Sequence, residues 1–180
     1  TRLQGDWSSD VCSSDLRKAL EISGAVAGKR DLRQAMLFLQ QYGITQNLGM
    51  KIYNFYQGRL YQVIRENPYK LADDIDGVGF RIADEIASKA GILPDSDFRI
   101  RSGILYVLEQ ATGQGHTCLP MDQLMQEARR LLGVEIDSMN DRIMDLIMDK
   151  KIVVKTKEDI QMVYSSVSYY TELTIAQMLK

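Results

Sequence analysis

Apolar positions along the chain recur mainly at intervals of three and four. Leu32, Ala35, Met36 and Leu39, then Met50, Ile52, Tyr53 and Tyr56, mark helices with one buried face, and Gly43 and Gly58 punctuate them. A further unit is expected to open at Asn67-Pro68, where Asn can cap and Pro fits the first helical position. It runs through Leu71-Ala72 to a turn at Gly77-Val78-Gly79, and a second helix follows from Arg81 to about Ala90, stopped by Gly91 and Pro94. Two helix-turn-helix units of similar build result, residues 32–57 around Tyr42-Gly43-Ile44 and residues 68–90 around the glycine pair. Each is too short to bury both its helices alone, so packing as a pair is expected.

After Asp95 the texture changes. Helical patterns cover residues 98–112, 121–132 and 138–149, and Ile152-Val153-Val154 and Ile160 to Tyr164 read as short strands joined by a turn over Lys155 to Asp159. A last amphipathic helix, Tyr169 to Leu179, reaches Lys180 with no stop signal, so the chain reads as cut short there. The fold class expected is mainly α: a tandem helix-hairpin-helix domain over residues 17–94, then a winged-helix-like unit with a small β-hairpin over residues 95–180.

Residues 6–16 break the pattern. They are rich in Ser and Asp, lack any period, and one permitted back-translation of them reads as a common sequencing-library adapter. Residues 1–16, with Trp7 and Cys12, are therefore expected to be a disordered artefact. Of the two cysteines only Cys118 remains, with no paired spacing for zinc or a disulfide framework. No apolar run approaches the roughly 18 residues of a membrane span, and no secretory signal stands at the start; a bacterial cytoplasmic protein without membrane contact is expected.

A net charge of -2 argues against a nucleic-acid partner only until its distribution is considered. Residues 17–94 hold 11 Lys/Arg against 8 Asp/Glu, a balance of +3, whereas residues 95–180 hold 10 against 13, a balance of -3. The basic half contains the hairpin Ile75-Asp76-Gly77-Val78-Gly79-Phe80. A phosphate needs converging backbone N–H donors, and a side-chain-free turn at a helix N-terminus supplies them with the positive end of the helix dipole. Gly77 and Gly79 are expected to provide the turn and the close approach, Ile75 and Val78 to hold it from the core, and Ala83 and Ile86 to seat the following helix. Arg81 adds a charged contact. Such a site grips backbone rather than base edges, so binding should be independent of sequence and sensitive to salt. Asp73, Asp74 and Asp76 oppose it, and the alternative is a tight connection between packed helices with no ligand.

The stretches Met36 to Ile44, Lys51 to Tyr53 and Glu66 to Asp84 resemble the region preceding the motor in RecD-like ATP-dependent DNA helicases, as do Arg99 to Leu108, Gly115 to Pro120 and Tyr169 to Glu172. The resemblance covers about residues 18–180. It implies a helicase-associated DNA-binding module acting in repair or recombination, with single-stranded DNA or a single/double-strand junction and the motor domains of the same protein as partners. ATP and magnesium are then expected on the motor, and no cofactor on this stretch. Carried over by position, the nucleic-acid contacts are Gly77, Val78, Gly79, Phe80 and Arg81, with Gly43, Ile44, Thr45 and Lys51 in second place. Ile82 stands where the family usually has Thr, which removes a hydroxyl contact to phosphate.

No catalytic or metal site is expected. Ser23 to Arg30 has the Gly28-Lys29 pair of a P-loop, but Ser23 stands in place of its first glycine, Arg30 in place of its hydroxyl residue, and no strand leads in. Helix-hairpin-helix DNA glycosylases place a nucleophilic Lys where Arg81 stands, and a guanidinium forms no Schiff base. Asp95 and Asp97, near the place of a glycosylase Asp, have no other support. His116 and Cys118 lack further ligands or a base, and read as a loop His and a buried Cys. Met121, Met125, Met139, Met144 and Met148 read as core, and Tyr53, Phe55, Tyr56 and Tyr61 as packing rather than base stacking. Residues 138–149, the expected recognition helix of the winged unit, carry Asp141, Asp145 and Asp149 against Arg142 and Lys150, a surface better suited to protein than to DNA. A structural or protein-interaction role is the rival function.

Overall fold

A computed structural model describes residues 28–179, apart from the side chains of residues 136–138. The adapter-like segment and the beginning of the P-loop-like stretch lie outside the described residues. By its contacts the chain divides into two compact units, one ending at Leu60 and one covering Tyr61–Lys180. The change of texture after residue 94 falls inside the second unit.

In the first unit, helix α1 covers residues 28–41 and α2 covers Gln46–Tyr56, followed by a 3-10 turn at Gln57–Arg59. Ala35, Leu39, Ile52 and Tyr56 form the buried face anticipated from their spacing, but Met50 and Phe55 are exposed. The close approach of the two helices is set instead by Gly49, where a Cβ would stand 3.1 Å from Met36 Sδ and 3.4 Å from Leu39 Cδ1. The bend after α2 occurs at Gln57, which adopts φ 47°, and not at Gly58.

The second unit begins within α3, Leu60–Glu66, a helix the periodicity did not mark. Helix α4 follows at Lys70–Asp74, the hairpin turns, and α5 runs over Phe80–Lys89. The expected Asn67 cap is not formed: Tyr69 occupies the cap position of α4, and the buried Asn67 Oδ1 has no hydrogen-bond partner. Gly91, at φ 79°, ends the α5 segment as anticipated.

Helix α6, Asp97–Gly113, is the centre of this unit, packing against α5, α7 and α8. Its Ser96 cap accepts a hydrogen bond from the Arg99 backbone N–H. At Gly103 a Cβ would fall 2.5 Å from Leu132 Cδ2, so the absent side chain lets α7, Met121–Leu132, lie against α6. Helix α8 is Ile136–Met148. Met125 and Met139 fill the core, but Met144 and Met148 are exposed, a correction to the uniform core reading.

Strands β1, Cys118–Pro120, β2, Ile152–Lys157, and β3, Ile160–Ser165, form an antiparallel sheet in the order β1-β3-β2. Leu119 and Val154 both pair with the fully buried Val163. The three residues of β1 are too few to show alternation and end in Pro120; pairing with β3 makes them a strand, and leaves Cys118 half-buried rather than buried. The β2–β3 turn is tighter than the five residues expected. Glu158 and Asp159, at φ 50° and 66°, make a two-residue turn whose twist suits a hairpin, without the Gly or Asn that announces one. Helix α9 spans Ser166–Met178, starting three residues earlier than expected because Ser165 Oγ accepts from the Ser168 N–H.

One polar knot ties α5 to α6 and α7. Asp84 accepts from Arg99 Nε at 2.8 Å, from Arg99 Nη2 at 3.1 Å and from the Tyr69 hydroxyl at 2.6 Å. Arg99 Nη1 also donates to the Pro94 and Leu132 carbonyls. Burial alone would raise the Asp84 pKa, but the Arg99 and Tyr69 hydrogen bonds outweigh it and hold the carboxyl below its usual range. Burial, then the bond to Asp84, pushes the Tyr69 hydroxyl upward, keeping it a donor.

Replacing Asp84 by Asn keeps the shape and removes the charge that both donors address. The unfolding free energy at pH 7 should fall by about 1–3 kcal/mol, read from urea midpoints. Because the folded-state pKa is depressed, Asp84's contribution is present above about pH 4 and lost as pH falls through the folded value. The acid-side loss of stability should therefore shrink in the variant.

Candidate nucleic-acid interface

The hairpin is built from a buried frame and an open backbone. Ile75 and Val78 are buried, and the Val78 N–H closes the turn on the Ile75 carbonyl at 3.1 Å. Gly77 adopts φ 99°, a conformation L side chains rarely take, so a glycine is required there. Gly79 does not share that role. It sits at φ -89°, ψ 171°, as the N-cap of α5, with nothing within 4 Å of an added Cβ.

As a result the N-terminus of α5 is bare. Gly79 offers no capping side chain, the first turn holds no acidic residue, and the Phe80 and Arg81 N–H groups have no backbone acceptor among the described residues, while the Ile82 N–H reaches back to the Gly79 carbonyl at 3.1 Å. Ala83 and Ile86 are buried on the opposite face and fix the helix. Phe80 is also buried, its ring stacked between Tyr69 at 5.9 Å and Tyr106 at 5.2 Å. Val78 and Phe80 can therefore present only backbone to a ligand. Arg81 is exposed, and its guanidinium forms no hydrogen bond or ion pair among the described residues. Ile82 is partly exposed at the position of the absent hydroxyl.

The second-ranked residues repeat this local design in the first unit. Gly43 takes φ 81°, Ile44 is buried, and Thr45 is the N-cap of α2 without a side-chain cap bond. Lys51 lies on the exposed face of α2 and has an interaction of its own. Thus Gly77 to Arg81 form one continuous site, and Gly43 to Thr45 with Lys51 belong to the other compact unit.

Other candidates separate clearly. His116 is exposed, and among the described residues no group of His, Cys, Asp and Glu could hold a metal ion. Arg142 on α8 is engaged by Asp97 at 3.0 Å and Asp145 at 3.1 Å, and Asp149 pairs with Arg101, so the charges of that helix are largely spent within the fold. The residues that orient the hairpin, Tyr69, Asp84 and Arg99, went unmarked by sequence patterning, because a carboxylate beside a distant Arg shows no period.

The two glycines should respond differently to Ala. Gly77→Ala forces a Cβ into positive φ and should cost about 1–2 kcal/mol of stability, whereas Gly79→Ala should stay within about 0.5 kcal/mol of the parent. Thermal and urea unfolding of both variants would measure the difference.

Comparison with known families agrees with this geometry. The model of the ATP-dependent RecD2 DNA helicase HHH domain, where HHH denotes helix-hairpin-helix, matches residues 28–118. That span includes both hairpins, the Asp84–Arg99 knot and all of α6, half of the chain, and ends in β1. This chain therefore belongs to the ATP-dependent RecD2 DNA helicase helix-hairpin-helix family.

Proposed function

We propose that the turn from Gly77 to Arg81 grips the DNA backbone without regard to sequence, as part of an ATP-dependent helicase acting in DNA repair or recombination. The observation that carries this reading is the uncapped N-terminus of α5, presented by a positive-φ glycine and flanked by the unengaged guanidinium of Arg81. The Gly43 to Thr45 turn, with Lys51, offers a second, weaker grip of the same kind. Asp76, exposed beside Gly77, opposes phosphate and keeps the affinity of one hairpin modest. The DNA engaged by the whole protein is single-stranded or a single/double-strand junction, in a bacterial cytoplasm. ATP and magnesium would be held by the motor domains of the parent protein, the other partner of this chain.

A structural or protein-contact role is favoured for the part beyond α6. The succession of helix, strand, two helices and hairpin suits a winged-helix-like unit, but the one cation of its α8, Arg142, is already paired. Helix α9 exposes Val167, Tyr170, Leu173, Ile175 and Met178, and Leu179 follows at its end, a surface better suited to protein than to phosphate. Among the described residues no helix is long and apolar enough to cross a membrane.

Fluorescence anisotropy with labelled DNA, over a range of salt, tests the grip. Affinity should fall with salt at a log-log slope of about -0.9 per phosphate on duplex and -0.7 on single strands, for about two to four phosphates. Arg81→Ala should flatten that slope by about one phosphate. Gly79→Ala should weaken binding with little change in stability. Absence of binding at low salt, or affinity untouched by either variant, would remove the hairpin from the interface.

A further inference from the structure

Beside the hairpin, the second unit contains an open cleft of about 480 Å³ between α6 and α7, in the range of small-ligand pockets. Arg81, in the first turn of α5, forms part of its wall, so the cleft and the hairpin share this residue. The remaining wall is rich in amide side chains. Gln110 and Gln114 from α6 and the turn after it, Gln123 from α7, and His116 all line it, and none of these side chains has a hydrogen-bond partner among the described residues. Tyr106 supplies an aromatic wall, held rigid by its stacking on the buried Phe80. Leu119 of β1, also in the lining, is buried. The one carboxylate present, Glu127, is already engaged by Arg130 at 3.1 Å and 3.2 Å.

We infer that this cleft receives an unpaired nucleobase of the strand whose backbone the hairpin holds. The inference rests on the proposed hairpin grip and adds to it a base-dependent contact. Each carboxamide carries both a donor and an acceptor, the pairing that base edges also present. An immobilised tyrosine gives a stacking surface that accepts any base. Arg81, shared by turn and cleft, places a phosphate and its attached nucleoside next to one another. A paired base cannot leave its stack without opening the duplex, so the cleft selects single-stranded DNA where the hairpin alone selects none.

The full chain, titrated by anisotropy, is compared on three probes: an oligodeoxynucleotide single strand, a strand of the same length with abasic sites at its centre, and a duplex. The phosphates are unchanged in the abasic strand. Loss of the bases should weaken binding about tenfold. Gln110→Leu with Gln123→Leu, both at exposed positions and similar in shape, should bring the intact strand toward the abasic affinity and leave duplex binding as it was. Equal affinity for intact and abasic strands overturns the inference, as does a base preference that persists undiminished in the double variant. Those results leave salt-dependent binding of all three probes in place, whereas failure of the hairpin grip abolishes binding of all three.

Discussion

The second unit depends on a carboxylate that is useful only because three helical segments converge on it. Asp84 on α5 receives one edge of the Arg99 guanidinium, Nε and Nη2, from α6 and the Tyr69 hydroxyl from just before α4, and the remaining guanidinium nitrogen reaches carbonyls at Pro94 and at the end of α7. A partly buried charge is costly unless paired and hydrogen-bonded, and here nearly every donor is used. The arrangement therefore specifies orientation more than it adds raw stability. Tyr69 is also the outer ring of the Tyr69–Phe80–Tyr106 stack, so the polar knot and the aromatic stack fix the same helix start from two sides.

That constraint bears on function because the proposed phosphate site has almost no side chains of its own. Backbone N–H groups can converge on an anion only if the helix that carries them is held still. The buried Ile75, Val78, Ala83 and Ile86 supply the apolar half of that support and the Asp84 knot the polar half. Membership in the RecD2 helicase helix-hairpin-helix family accords with a fold that devotes so much packing to one short turn. The overall charge of -2 is no obstacle, since the acidic excess lies outside residues 17–94, in residues 1–16 and in residues 95–180, where Asp97, Glu127 and Asp145 engage arginines of the fold.

Legibility followed the range of the interactions. Helices α5, α6 and α7 were readable nearly to their ends, because their buried faces recur at helical spacing and because Gly91 stops α5 locally. The hairpin was legible for the same reason: a glycine at φ 99° leaves a mark in the sequence. Strand β1 was not, since three residues ending in Pro become a strand only by pairing with β3, over forty residues away. Helix α3 was hidden because Leu60 and Ile64 are too few to set a period of their own.

The sequence alone thus determined the helical class, the two glycine turns and Arg81 as the cation beside the second, because each depends on neighbours within a few residues. Tertiary structure decided how those residues can act. It showed that Gly77 needs its glycine for conformation and Gly79 does not, and that Phe80 offers backbone only, its ring being buried. It also joined Arg81 to Tyr106, Gln110 and Gln123 around one cleft. Such features arise from contacts between segments distant in the chain, and the spacing of residues along one segment carries no record of them.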